Sequence, residues 1–251
     1  MKKFDTRKLP ARIILYLIAQ VINATGVVLT IKANIGVALG SGIPVVINAI
    51  NPNITIGTVS TIFFAVLVLL QIIILRKDFK PIDLVQFFLA LLYGKLVDLM
   101  MSLLSWITID SYPMRIIVLL LSIVLQGIGI AIYVSCRLIV MPPEGFCLSL
   151  GHLSEKIDLG KGRIILDTAL LVITLALSLI FLRKIVAIRE GSVILWLLTG
   201  HSINLFRKLI GKPIEKYLYG EESEAPAAEE TAAEVAEAAE KTEETIEKTV
   251  E

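Results

Sequence analysis

The stretch VMPPEGFCLSLGHLSEK, Val140 to Lys156, lies between two long apolar runs and decides how they are joined. Proline removes a backbone donor and disfavours helix in the residue before it, so a helix cannot run on regularly through Pro142 and Pro143. Glu144 then stands between Pro143 and Gly145. These residues alone fit a surface loop as well as a broken element within a membrane, so the runs around them have to be read first.

The chain has 251 residues, of which 56% are hydrophobic, with a mean hydropathy of +0.81. A soluble domain of that size has too little polar surface to cover so much apolar material. Several runs reach the roughly 17–25 residues that a helix needs to cross about 30 Å of hydrocarbon. Six spans are expected, at about 12–32, 57–75, 82–105, 114–137, 163–182 and 190–206. The fold class is therefore all-α, a polytopic helical membrane protein. The N-terminal segment is basic and then apolar, like a signal peptide. No small-residue cleavage site follows it, so it is read as a retained first span. Cys136 and Cys147 have neither the number nor the spacing of a metal site or a disulfide framework.

Basic residues divide unevenly between the two sides. If the N-terminus is inside, 16 lysines and arginines fall on that side and 5 on the other, leaving out the acidic tail and Lys95 within its span. The positive-inside rule then places both termini in the cytoplasm. Residues 1–11 form the cytoplasmic N-terminus, 106–113 an external loop and 209–251 a cytoplasmic tail. Glu221 to Glu251 hold 12 glutamates and two lysines without an apolar stripe, the pattern of a disordered segment or solvated helix. The other 220 residues carry a net charge of +11, a basic face suited to anionic lipid headgroups.

The halves 12–105 and 114–208 resemble one another. At an offset of 103, Asn23, Gly26, Val37, Gly42 and Gly57 fall on Gln126, Gly129, Val140, Gly145 and Gly160. Further on, ILRK (74–77) meets FLRK (181–184) at an offset of 107, and LLYGKLVDL (91–99) meets LLTGHSINL (197–205) at 106. Three spans per half is an odd number, so the halves enter the membrane from opposite sides. That is the plan of a 3+3 inverted repeat. Gly36, Gly40, Gly42 and Pro44 in the first half match Pro142, Pro143 and Gly145 in the second as backbone-breaking residues. Two broken segments are expected, each followed by a short helix at about 43–50 and 146–156. They are either re-entrant or lie on the headgroups.

IKANIGVALGSGIPVV (31–46), TIGTVS (55–60) and PPEGF (142–146) resemble the YczE/YyaS/YitT-type bacterial integral membrane proteins, over about residues 10–215. The resemblance implies a plasma-membrane protein for which transport, or the regulation or assembly of other membrane systems, is the assumed role.

Charged and amide groups at bilayer depth are costly and are the candidates for function. Lys95 and Asp98 lie three apart on one helix face, where they can pair. His201 and Asn204 take the equivalent positions in the second half, and Ser41 takes that of Glu144. Asn23 and Gln126 are a third matched pair, either path-lining or gluing helices. Asp167, near Arg163, reads as a cap or an interfacial ion pair. Gly26, Gly127 and Gly129 read as close helix packing.

No phosphate-binding loop, zinc-hydrolase or serine-elbow motif is present, so an enzyme is not expected, nor are a cofactor, a metal or a nucleic-acid partner. The expected function is transport or export of a small solute by alternating access between the halves, along Lys95, Asp98, Glu144, His201 and Asn204. The alternative is a scaffold that recruits partners through its basic face and acidic tail. A transporter needs those residues to converge, whereas a scaffold leaves them scattered and individually satisfied. A homo-oligomer is compatible with either.

Overall fold

A computed structural model describes residues 8–153 and 159–219. The acidic tail and residues 1–7 lie outside the described residues, as do 154–156 at the end of the second expected short helix. Nine α-helices are described and no strand: α1 Leu9–Ala33, α2 Leu39–Ile50, α3 Ile56–Leu75, α4 Val85–Leu103, α5 Tyr112–Ser135, α6 Pro142–Leu150, α7 Leu159–Leu177, α8 Glu190–Phe206 and α9 Lys212–Tyr219. Six helical stretches are long and apolar enough to cross a bilayer: Leu9–Ala33, Ile56–Asp78, Pro81–Leu103, Tyr112–Ser135, Lys161–Leu182 and Glu190–Tyr219. This is a polytopic helical membrane protein. The last stretch exceeds the expected 190–206, because a π-turn at Arg207–Gly211 carries α8 into α9. With 30 residues it crosses without local thinning.

The bundle is built around α1 and α5. About half of the most apolar window of each is buried, against 17–33% in the other four stretches. The two pack through their glycines. A Cβ on Gly26 would lie 2.8 Å from Gln126 Cγ and 3.0 Å from the Ser122 carbonyl. A Cβ on Gly129 would lie 2.9 Å from both the Ala19 carbonyl and the Asn23 nitrogen. Each contact is the other with the helices exchanged, since Gly26, Ala19 and Asn23 precede Gly129, Ser122 and Gln126 by 103 residues. Outside the core, Phe88, Ile180, Ile73 and Phe181 stand exposed, as suits surfaces in contact with lipid.

α4 flanks α1, and α8 flanks α5. α2 packs on α3 and α7, and α6 packs on α7 and α3. Gly42 of α2 abuts Thr174 of α7, and Gly145 of α6 abuts Gln71 of α3. These two contacts also exchange at 103 residues. One pair breaks the pattern. α3 and α4 meet closely, with Gly57 and Gly94 backbone to backbone, whereas α7 and α8 form no comparable seam.

Both chain breaks exist, slightly ahead of where the prolines and glycines place them. After α1 the chain turns at Asn34, in the left-handed region at φ 53°, and passes Gly36 at φ 126° before α2 begins. After α5 it turns at Arg137, at φ 45° and 103 residues beyond Asn34. Gly40, Gly42 and Pro44 therefore lie inside α2, and Gly145 lies inside α6. Pro142 and Pro143 occupy the first turn of α6, where the missing N–H costs nothing.

Backbone polar groups in such breaks must find partners away from water. At the first break, Gly191 N–H donates to Ile35 O (2.7 Å), Val37 N–H to Ala187 O (3.0 Å) and Ser192 Oγ to Val37 O (2.8 Å). At the second, Arg12 donates to Cys136 O (2.9 Å) and Arg137 O (2.8 Å), Tyr219 to Cys136 O (2.8 Å) and Gln71 to Pro142 O (3.2 Å). This second break lies on the face that carries Lys8 and Tyr217, called here the terminal face.

Candidate functional site

The proline pair that starts α6 also fixes Glu144 in its first turn, where a carboxylate is favoured by the helix dipole. Met141 before it is extended and acts as the N-cap. α6 packs on the start of α7 closely enough that a Cβ on Gly162 would lie 2.7 Å from the Cys147 carbonyl. That contact brings Arg163 and Asp167 to Glu144. Arg163 Nε donates to Asp167 Oδ2 at 3.0 Å, one turn along α7, and its Nη1 stands 3.9 Å from Glu144 Oε1. Two carboxylates thus share one guanidinium. The Glu144 and Asp167 side chains are only 21% and 15% exposed. Glu144 Oε2 and Asp167 Oδ1 are both buried and without a hydrogen-bond partner among the described residues.

Aromatic and amide groups surround this cluster. The Tyr133 hydroxyl of α5 faces Glu144, and the Tyr133 ring meets Tyr16 of α1 edge-on at 6.0 Å. Tyr16 donates to Met141 Sδ and so does Gln20, each at 3.4 Å. Gln20 is 1% exposed, and its Oε1 has no donor among the described residues. Tyr93 of α4, stacked on Phe64 at 5.5 Å, closes the same buried cluster.

The other sequence candidates do not join it. Lys95 is exposed, and no described residue forms a hydrogen bond or ion pair with it. The expected Lys95–Asp98 pair is absent because Asp98 is engaged elsewhere. Its Oδ2 accepts from Thr55 Oγ1 (2.7 Å) and its Oδ1 from Gly57 N–H (2.8 Å), so it caps the start of α3. His201 is exposed and bonded to Leu197 O of its own helix. Asn204 is half-buried, while Ser202 between them faces α5 and donates to Ile123 O (3.1 Å). Gln126 lies between α1 and α5, its amide within 3.4 Å of Thr30 Oγ1, and Asn23 abuts Gly129. Ser41 lies in the first turn of α2, half-buried. Glu144 alone of the eight joins the carboxylate–guanidinium cluster.

Arg163 and Asp167 were legible as an i, i+4 pair in an apolar run. Tyr16, Gln20 and Tyr133 carried no signal, since aromatic and amide residues are scattered through all the spans. No group of three or more His, Cys, Asp or Glu side chains suited to a metal occurs among the described residues.

A family model of unknown function, DUF6198, matches residues 10–208. The chain belongs to that family. No curated protein and no solved structure matches it. The DUF6198 region takes in both breaks and every residue of the Glu144 cluster, and it stops before α9.

Proposed function

We propose that this DUF6198 protein transports a small solute by alternating access, with Glu144, Arg163 and Asp167 as its central polar site. The observation that carries the proposal is the pair of buried, unpartnered carboxylate oxygens of Glu144 and Asp167, in the second half beside Tyr16, Gln20 and Tyr93 of the first. Unpartnered polar groups at bilayer depth are expensive, and function is the usual reason for keeping them. An inverted repeat supports the reading. The exchanged contacts Gly26–Gln126 with Gly129–Asn23, and Gly42–Thr174 with Gly145–Gln71, are those that a two-fold relation of the halves requires. On this reading α2–α7 and α6–α3 are the two gates. The terminal face is cytoplasmic, and its basic residues meet anionic headgroups.

The path expected along Lys95, Asp98, Glu144, His201 and Asn204 does not form, which favours the second reading, a scaffold; the transport reading keeps only Glu144 of that set and rests on its cluster with Arg163 and Asp167. A test that needs no known solute separates the two. Glu144→Cys in a Cys136→Ala/Cys147→Ala background is exposed to a membrane-impermeant maleimide from each side of sealed vesicles. Alternating access predicts labelling from both sides. Labelling from neither side removes the transport reading and leaves the scaffold.

A further inference from the structure

We infer that the Glu144 site takes a single positive charge, supplied in turn by a proton and by an organic ammonium ion that compete for it. The inference rests on the transport reading and gives it a substrate class. The cluster holds two carboxylates against one guanidinium, an excess of one negative charge. Arg163 is engaged with both, so an anionic ligand finds no free cation here. The atoms left over are all acceptors: Glu144 Oε2, Asp167 Oδ1 and Gln20 Oε1. Gln20, 1% exposed, is bound to Met141, the N-cap of the same α6 that carries Glu144, and lies on a different helix from both carboxylates. It is an independent sign of a missing donor.

Tyr16, Tyr93 and Tyr133 line the surround, and aromatic faces with carboxylates favour an ammonium over a small inorganic ion, which asks for further oxygens. A buried excess charge is costly unless neutralised. Either a proton on Glu144 or the cation does this, and each removes the need for the other. The groups acting on Glu144 are Arg163 and Asp167 from α7, Cys147 from α6, Tyr133 from α5, Tyr16 from α1 and Tyr93 from α4. From α3, the neutral Gln71 abuts Gly145.

The test is the thermal midpoint of the full chain in lipid nanodiscs, with tetraethylammonium chloride or methylammonium chloride as probes. Sodium chloride and sodium benzoate serve as controls at equal ionic strength. An ammonium probe near 100 times its Kd is expected to raise Tm by about 5 °C at pH 8 and clearly less at pH 5.5, where the proton competes. Glu144→Gln removes the shift at both pH values, and Glu144→Asp keeps part of it. Should Glu144→Gln fail to fold, Asp167→Asn, which also removes the excess charge, is read in its place. No shift from either ammonium, an equal shift at both pH values, an unchanged shift in Glu144→Gln, or a larger shift from benzoate overturns the inference. Labelling of Glu144→Cys from both sides with no cation effect leaves transport standing and removes the cation alone.

Discussion

Arg163 is the residue on which the site's charge balance depends. Its guanidinium meets Asp167 at 3.0 Å and stands 3.9 Å from Glu144. Arg163→Ala leaves two carboxylates facing each other, and breaking a fully buried pair in this way costs about 3–5 kcal/mol. With Arg163 one-third exposed, the expected loss is roughly 1–3 kcal/mol, read as a lower unfolding midpoint. The double variant Arg163→Ala/Asp167→Asn recovers part of it, because the remaining charge is single. An equal loss in both variants would mean that Arg163 acts by packing its stem. The residue scale is where sequence reading was weakest. Lys95 and Asp98 share a helix face by spacing, yet Thr55 and Gly57 offer Asp98 nearer donors at the start of α3. Spacing along one helix shows which side chains can meet, but not what the neighbouring helix offers them. Lys95 stands about 12 Å short of the end of α4, and its flexible stem lets the ammonium reach toward the headgroups.

At the scale of the element, apolar run length located five of the six spans to within a few residues, because the thickness of hydrocarbon fixes it; the sixth runs 13 residues past its expected end, through the polar residues of α9. The sites of the breaks were less legible. Proline and glycine mark where a helix is weak, but the turns fall at Asn34 and Arg137, where carbonyls released from α1 and α5 find donors. Asn34 O accepts from Arg189 at 3.0 Å, and Arg137 O from Arg12 at 2.8 Å. Those donors are more than 120 residues away in sequence, out of reach of a local pattern. α2 carries two glycines whose environments differ sharply. Nothing lies within 4 Å of a Cβ at Gly40, whereas one at Gly42 would meet Thr174 Oγ1 at 2.8 Å and Cγ2 at 2.9 Å. Gly40→Ala is therefore expected to stabilise by about 0.5–1 kcal/mol through helix propensity. Gly42→Ala is expected to destabilise by roughly 1–3 kcal/mol through overpacking. Thermal midpoints of the two variants should move in opposite directions. If both fell, Gly40 would have a role outside its own helix.

Across the whole molecule, the halves share a plan but not a chemistry. The residues 103 positions before Tyr133, Glu144, Arg163 and Asp167 are Thr30, Ser41, Ser60 and Phe64, so the charged site exists once. It lies nearer the terminal face, among the residues packed around α6. On the proposed transport reading, the contact Gly42–Thr174, between α2 of one half and α7 of the other, is the gate on the opposite approach. A Cβ at Gly42 stands 3.3 Å from Thr174 Cβ, slightly closer than the roughly 3.5–4.5 Å of a disulfide, so a small outward shift suffices to form one. In the cysteine-free background, Gly42→Cys/Thr174→Cys is expected to cross-link on oxidation and to pin α2 to α7. If these helices form the gate on that side, the cross-linked protein with Glu144→Cys loses maleimide labelling from the opposite face. Labelling from the terminal face persists, because α6 and α3 remain free to part. Reduction restores both. Equal labelling from both faces after complete cross-linking would place the gate elsewhere and leave α2–α7 as a fixed joint. Loss from both faces at once would mean that the two seams move as one body.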